Sequence, residues 1–320
     1  MREPTSLSRA ELPVAQTLRG SLARGDERLA ESRPILTMLV NQRDHSLFAE
    51  HIVVRVRAML NGLAGQLLRA QADAVGERSQ DSFVAQHRER LMQRLSRHPA
   101  LLDHLHALAL EWQATCDLEA RLSLDPVLSP LLQDLVGNGD PEIASVAMAS
   151  LSAQARFAQA QRRMDIALGE LPADLFHDVL VIWSELDASQ PSDMLERAEQ
   201  RLREDFDEGG SRIALFARLT MALGDTVSAA LQIEFAGVGL FLSALASLSG
   251  QTRSAAAAST NPQLAGRLIL GLRAAGLRPA DVEAQALRIL PEGGVPLGLD
   301  SIGIREAAEW LAAATEAAGD

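Results

Sequence analysis

The sequence of 320 residues contains no lysine and no tyrosine, and all 30 of its basic residues are arginine. Schiff-base chemistry, phosphate-binding loops and kinase-type sites require a lysine amine, which arginine cannot replace because it stays protonated at any working pH. Without tyrosine, no phenol can act as an acid or a nucleophile. The remaining histidines, hydroxyls and carboxylates stand in no recognisable catalytic spacing. We therefore expect a protein that is not an enzyme and that carries no cofactor.

Aromatic residues are also scarce, at 3% of the chain, whereas the hydrophobic share of 47% is ordinary. Alanine and leucine supply most of that share, and both lose little rotamer freedom in a helix. The aromatic and β-branched residues that strands favour are few and scattered. The sequence predicts an all-α fold, built as a multi-helical bundle or array.

The chain has one cysteine, Cys116, so it cannot form an intramolecular disulfide and suits a reducing compartment. Asp117 beside it should raise the pKa of its thiol. The first residues lack the apolar segment of a signal peptide, and no uncharged apolar run is long enough to cross a bilayer. We expect no membrane span and a cytoplasmic protein.

Charge is distributed unevenly along the chain, whose formal net charge is −12. Residues 1–110 hold 15 arginines against 12 acidic residues, and residues 111–320 hold 15 arginines against 30 acidic residues. Phosphate contacts need clustered positive charge, so we do not expect broad binding to nucleic acid.

Composition also suggests how the chain divides. Residues 1–33 are polar and contain a Gly25-Asp26 break, which predicts a poorly ordered arm. Helical patterning follows over residues 34–208, and the acidic, glycine-containing segment DFDEGG at residues 205–210 is the expected boundary. Residues 211–320 then form a more apolar helical domain, in which we expect one buried helix from Thr226 to Leu248.

Two Asp-Pro pairs, Asp125-Pro126 and Asp140-Pro141, each predict a helix N-cap followed by proline in the first turn. Around them lie the patterns LL-x-DLV, Asp-Pro-Glu and Ile-x-x-Val-Ala-x-x-Ser-Leu. Residues 128–153 thereby resemble one HEAT-type repeat, although Ala144 stands where such repeats commonly have arginine. The resemblance implies a pair of antiparallel helices, and a generic helical hairpin is the alternative.

Residues 262–290 resemble a helix-turn-helix, with Ala-Ala-Gly-Leu leading into a second helix. Four arginines against two acidic residues give the segment a mild positive balance. However, Asp281 and Glu283 lie at the start of the predicted recognition helix, where they would face phosphates. A DNA-binding regulator is therefore an alternative function.

The histidines do not predict a metal site. His104 and His106 lie about 200° apart on a helix and cannot bind one ion from it. Asp103 shares a face with His106, but two ligands do not make a site. His87 lies in an apolar stripe and is expected to be a hydrogen-bonded core residue. Asp174, His177 and Asp178 share one helix face, which suits either a general base or a solvated polar surface.

Glu234 is a carboxylate that the pattern places in an apolar stripe. Such a group must find a partner or stay protonated, so it is either paired with an arginine that fixes helix register or part of a ligand-binding or catalytic site. Gly237 and Gly239 would let another backbone or a ligand approach closely. The apolar residues flanking Glu234 at helical spacing are Val227, Leu231, Val238 and Phe241.

Arg90, Arg94 and Arg97 follow each other at helical spacing in the helix predicted over residues 81–97. They would form a positive ridge that binds an acidic partner, docks on an acidic part of the chain, or is simply solvated. The function we expect is that of a non-catalytic intracellular interaction or regulatory protein working through helical surfaces. A protein is the expected partner.

Overall fold

The computed structural model describes residues 14–41, 50–75, 80–186, 192–292, 294, 296 and 298–317. Within these residues the chain forms fourteen α-helices and five short 3-10 helices, and no strand. The predicted all-α, multi-helical fold is confirmed. The irregular, glycine-rich stretch before the last helix is described only in part.

The helices vary from one and a half to nearly eight turns. In chain order they are α1 (Val14–Asn41), α2 (Glu50–Val75), α3 (Gln80–Leu95), α4 (Pro99–Leu122), α5 (Pro130–Val136), α6 (Pro141–Arg162), α7 (Ala173–Ser184), α8 (Ser192–Glu204), α9 (Arg212–Ala222), α10 (Ile233–Ser249), α11 (Arg253–Ala258), α12 (Ala265–Ala274), α13 (Pro279–Ile289) and α14 (Ile304–Ala317). The 3-10 helices cover Leu168–Glu170, Glu208–Gly210, Gly224–Leu231, Pro262–Leu264 and Leu299–Ser301.

Side-chain caps followed by proline set several of the helix starts. Asp140 accepts a hydrogen bond from Glu142 N at the start of α6, as predicted, and Ser129 caps α5 in the same way. The N-cap predicted at Asp125 is wrong. Its carboxylate accepts from the backbone amides of Val127 and Leu128 and so closes a turn, and α5 begins only after Ser129.

The buried apolar side chains form two clusters, and α4 contributes to both. One cluster surrounds α10 and draws on α5, α9, α12, α13 and α14. The other joins α2, α3 and α7. Each cluster takes residues from both sides of the boundary expected near residue 210, since Leu131 lies in the first and Leu264 in the second. The division into two domains stays a prediction.

The expectation that residues 1–33 form a poorly ordered arm is wrong for its described part, which belongs to α1. Asp26 lies inside this helix and forms a buried ion pair with Arg267 of α12, at 2.6 Å. Gly25 is no break either, because a Cβ there would lie 2.6 Å from the side chain of Leu264. The glycine lets α1 approach the 3-10 helix that ends at Leu264. These long-range contacts hold in place a segment whose sequence is polar.

The single helix predicted from Thr226 to Leu248 is also wrong. The chain forms a 3-10 helix over residues 224–231, turns through 107°, and starts α10 at Ile233. Within α10, Gly237 has φ 72° and ψ 161°, which interrupts the helix. No single described helix is long and apolar enough to span a bilayer, and the two bent pieces reach that length only together.

Replacing Gly237 with alanine should destabilise the fold by about 1–3 kcal/mol, because its backbone conformation is essentially restricted to glycine. The added Cβ would also lie only 3.0 Å from that of Ser129. Urea unfolding followed by circular dichroism measures the change. Gly169→Ala is the control, since no atom lies within 4 Å of its Cβ position and its φ is not positive. Equal stability of the two variants would contradict the assigned backbone strain.

Candidate interaction surface and the buried network beneath it

Glu111 lies near the middle of α4 and is 1% exposed, although it is charged. Arg212 at the start of α9 binds it through two parallel contacts, from Nη1 to Oε1 at 2.5 Å and from Nη2 to Oε2 at 3.0 Å. Arg253 of α11 donates to Oε2 at 2.9 Å. A guanidinium can form this forked contact and an ammonium cannot. One carboxylate therefore ties three helices together.

Arg212 also links α9 to α6. Its Nη1 donates to Oε1 of Gln154 at 3.2 Å, and the Gln154 amide donates in turn to Pro126 O at 2.7 Å. Its guanidinium lies 3.6 Å from the ring centroid of Phe157, one helical turn after Gln154 on α6. The inner face of α6 is thus held by both a polar contact and a cation–π contact.

Arg253 connects the same network to α10. Its Nε donates to Ser243 Oγ at 3.2 Å, and its Nη2 lies 3.4 Å from the carbonyl oxygen of Gly239. Gly239 has no room for a side chain, because a Cβ would lie 2.8 Å from Phe216 and 3.0 Å from Arg212 Nη1. The sequence predicted that a backbone or a ligand would approach this glycine, whereas the nearest atoms belong to the side chains of Phe216, Arg212 and Gln154.

The electrostatics of the cluster follow from burial and from its two cations. Burial by itself would raise the pKa of Glu111, but Arg212 and Arg253 outweigh it and lower that pKa to about 2. The neighbouring His104 is affected in the opposite sense, since burial and then the same two arginines lower its pKa to about 4. At neutral pH the cluster holds an ionised glutamate, two arginines and a neutral histidine.

The cavity next to this network has a volume of about 20 Å³. Its lining includes Thr115, Gln154, Phe216 and the interrupted part of α10 at Gly237. A cavity of that size holds about one water molecule. This cavity therefore has room for a molecule of the size of water and not for a larger organic molecule.

The outer faces of α6 and α9 carry a different set of side chains. Met148, Ser152 and Arg156 follow each other at steps of four along α6, and the Ser152 hydroxyl donates to Met148 O. Arg218 and Met221 lie one turn apart on α9. Met148 is 51% exposed and Met221 is 80% exposed, the two highest values among the exposed large apolar side chains of the described residues. We call these five residues the α6–α9 surface.

A groove of about 410 Å³ runs between the two helices and is continuous with this surface. Arg156 and Arg218 both line it, both are exposed, and neither binds another residue in the described part of the chain. The one carboxylate in the lining is Asp207. The remaining lining residues are small or apolar, namely Ala149, Ser152, Gly209, Gly210 and Leu215.

The predicted ridge of Arg90, Arg94 and Arg97 is not continuous. Helix α3 ends at Leu95, so Arg97 lies in the following turn and not on the helix face. Arg94 is half-buried and donates to the backbone oxygen of Glu185 at 2.8 Å. Arg90 is exposed. Part of the ridge is thus used inside the molecule, where it attaches α3 to the end of α7.

The expectation that Glu234 is buried is wrong, because its side chain is 44% exposed. The prediction treated residues 227–241 as one helix, whereas α10 starts at Ile233 and is interrupted at Gly237. The flanking apolar residues therefore do not share a face with it. The predicted arginine partner is confirmed, since Arg288 of α13 binds the carboxylate at 2.5 Å.

The histidine clusters separate in the structure. No group of three or more metal-ligating side chains occurs among the described residues. His87 contacts Phe83 O at 2.9 Å, as expected for a hydrogen-bonded, half-buried residue.

On α7, two residues of the predicted polar face bind different partners. Asp178 pairs with His98 at 3.2 Å, and His177 lies 3.3 Å from Arg203. Asp178 is therefore engaged away from His177. Cys116 is exposed, and partial burial, Glu119 and Asp117 raise the pKa of its thiol. A raised pKa makes an inert thiol.

The segment resembling a helix-turn-helix does form two helices, α12 and α13. Helix α12 is buried on nearly all sides. Each arginine of the segment is engaged within the chain: Arg267 with Asp26, Arg273 with Ile302 O, Arg278 with Asp281, and Arg288 with Glu234. The exposed part of α13 includes Glu283 and Leu287. The side chain of Arg278 is nevertheless 84% exposed, so its surface pair with Asp281 leaves it accessible, and DNA binding by this corner stays a prediction.

The hairpin predicted over residues 128–153 is present as α5 and α6, which pack against each other. Its membership of the HEAT repeats stays a prediction. Comparisons of the chain with protein-family models, with curated proteins and with solved structures found no match.

Glu111→Gln should destabilise the protein by about 3–5 kcal/mol, because it leaves two buried arginines without their carboxylate. Glu234→Gln is the matched control, and breaking its half-exposed pair should cost about 0–1 kcal/mol. Chemical unfolding of both variants at neutral pH measures the difference. Equal effects at the two positions would contradict the central role of the buried cluster.

His104→Gln should flatten the dependence of stability on pH between pH 6.5 and 4. In wild type, the unfolded chain takes up a proton on His104 as the pH falls through 6.5, whereas the folded protein does so only near its lowered pKa of about 4. Stability is therefore lost across that window, by about 3 kcal/mol. The contribution of Glu111 is lost at lower pH, between about 4.5 and 2. If the free energies of unfolding of wild type and variant change equally with pH across this window, the loss of stability does not come from His104.

Proposed function

We propose that this chain is a non-catalytic interaction protein that binds a protein partner through the α6–α9 surface. The observation that carries the proposal is the exposure of Met148 and Met221 on two helices whose opposite faces are fixed by buried contacts. Methionine adapts to irregular apolar partners, and arginine is enriched at protein interfaces. Arg156 and Arg218, exposed on the same two helices, give this surface a mixed apolar and charged character.

Rigid support favours this role. Gln154 and Phe157 on α6 contact Arg212 on α9, so the two helices that carry the surface are joined from beneath. A partner that binds to such a surface orders few side chains of the receptor and no backbone, which lowers the entropic cost of association. The groove between the helices accepts partner side chains without rearrangement.

The non-catalytic part of the proposal rests on what the polar groups do. The strongest buried charges, Glu111, Arg212 and Arg253, are all engaged in joining helices, and the adjoining cavity holds about one water. Lysine and tyrosine, which many catalytic sites use, are missing from the sequence. An unpaired, exposed Cys116 is compatible with a reducing compartment, and we propose a cytoplasmic location.

Photo-crosslinking from a single position tests the surface directly. In a Cys116→Ser background, a cysteine placed at Ser152 carries a benzophenone group into the groove. A cysteine at Glu283, on the exposed part of α13, is the matched control. We expect native lysate to yield a discrete adduct from position 152 that is missing from position 283 and is lost when Met148→Ser and Met221→Ser are added.

Two results would contradict the proposed function. The first is an adduct pattern that is the same from positions 152 and 283, since it would reflect nonspecific labelling. The second is an adduct from position 152 that persists with both methionines replaced, since exposed apolar contacts would then contribute nothing. Circular dichroism and thermal unfolding of each variant establish that the fold is kept.

A further inference from the structure

We infer that the partner segment at the α6–α9 surface is an acidic amphipathic helix; this inference rests on the function proposed above. Its apolar residues would contact Met148 and Met221, and its carboxylates would bind Arg156 and Arg218. Four observations lead to this chemistry: two guanidinium groups without an ion pair among the described residues, the position of the methionines, the small residues that line the groove, and the acidic composition of residues 111–320.

The charge of the groove defines the sign of the partner. Arg156 and Arg218 line the same groove and make no ion pair within the described chain, whereas Asp207 is the single carboxylate among the lining residues. Residues 111–320 hold 15 arginines against 30 acidic residues, so the two arginines belong to a part of the chain that is otherwise acidic in composition. An acidic partner gains most from binding where two arginines face one carboxylate, as they do in this groove.

The distances between methionine and arginine along α6 and α9 define the order of apolar and acidic side chains on the partner. Met148 and Arg156 are eight residues apart on α6, which corresponds to about 12 Å along the helix axis. Arg218 and Met221 are three residues apart on α9, or about 4.5 Å. A partner that contacts both stripes therefore needs apolar side chains near one end and carboxylates one to two turns away. A helix presents such a pattern on a single face.

The volume and the lining of the groove allow side chains of the partner helix to enter it from the solvent side. A volume of about 410 Å³ accommodates several side chains but not a whole helix. Ala149, Ser152, Gly209 and Gly210 keep the groove open because their side chains are small or missing. At Gly210 a Cβ would lie 2.7 Å from the Asp207 carboxylate, so glycine keeps that end of the groove clear. Carboxylates of a partner helix can then reach the guanidinium groups.

The test is a selection of helical peptides on the full-length protein. A display library of 18-residue helices, with its surface positions randomised, is selected on immobilised wild type, and the enriched peptides are measured by fluorescence anisotropy. We expect enrichment of Asp and Glu one to two turns from Leu, Met or Phe. Arg156→Glu with Arg218→Glu should weaken binding roughly tenfold or more, and Glu→Lys peptides should recover binding to that variant.

The variants separate failure of this inference from failure of the proposed function. Binding that is lost with Met148→Ser and Met221→Ser but unaffected by the arginine reversal would overturn the acidic partner and leave the surface as an interface. Binding unaffected by either pair would overturn both. Arg156→Lys with Arg218→Lys should keep most of the affinity because the positive charge is kept, and recovery of binding by the Glu→Lys peptides shows that the reversed variant is folded.

Binding of a different kind of molecule in the groove would contradict the inference. Saturable binding of a 20-base-pair DNA duplex, or of phosphatidylserine vesicles, that disappears on arginine reversal would overturn the inference in favour of a phosphate ligand. A dimer of the wild type in sedimentation equilibrium that dissociates on the same reversal would assign the surface to a second copy of this chain. The expected result is no binding to either phosphate probe and a monomeric wild-type protein.

Discussion

The arrangement of this helical protein depends on the buried carboxylate of Glu111 and the two arginines bound to it. An isolated buried charge is strongly unfavourable, so Arg212 and Arg253 must stay within hydrogen-bonding distance of it. They come from α9 and α11, and Gln154 and Ser243 attach α6 and α10 to the same cluster. The absence of lysine is consistent with this arrangement, because the forked contact to Glu111 requires a guanidinium.

The cluster gives α6 and α9 two different faces. Their inner faces are fixed by Gln154, Phe157 and Arg212, whereas their outer faces present exposed methionines and arginines that make no ion pair with any described residue. A surface attached in this way keeps its shape without a partner. The buried charges therefore position the exposed side chains for which we propose a binding role.

The sequence predicted the helices well where the signal is local. Proline after a capping residue located the start of α6, and the alanine- and leucine-rich composition predicted the fold class. Prediction from the sequence failed where long-range contacts determine the structure. The ion pair of Asp26 with Arg267, 241 residues away, orders a segment expected to be poorly ordered. The backbone of Gly237 interrupts a helix whose apolar pattern continues across it.

The two glutamates show the same limit. Glu111 and Glu234 both lie among apolar residues in the sequence, and only Glu234 was predicted to be buried. The decisive difference is an interrupted helix around Glu234 and two distant arginines around Glu111, neither of which local spacing reveals. The α6–α9 surface was missed for a similar reason: Met148 and Met221 are 73 positions apart, and only the packing of α6 against α9 brings their stripes together.

Hydrogen exchange of the Glu111→Gln variant is the most direct measurement of whether the buried cluster holds the surface in place. It compares the backbone amides of α6, α9 and α11 with those of α2 and α3, which lie in the other hydrophobic cluster. We expect faster exchange in α6, α9 and α11, with protection in α2 and α3 unchanged. Unchanged protection of α9, or an equal loss in every helix, would contradict this expectation.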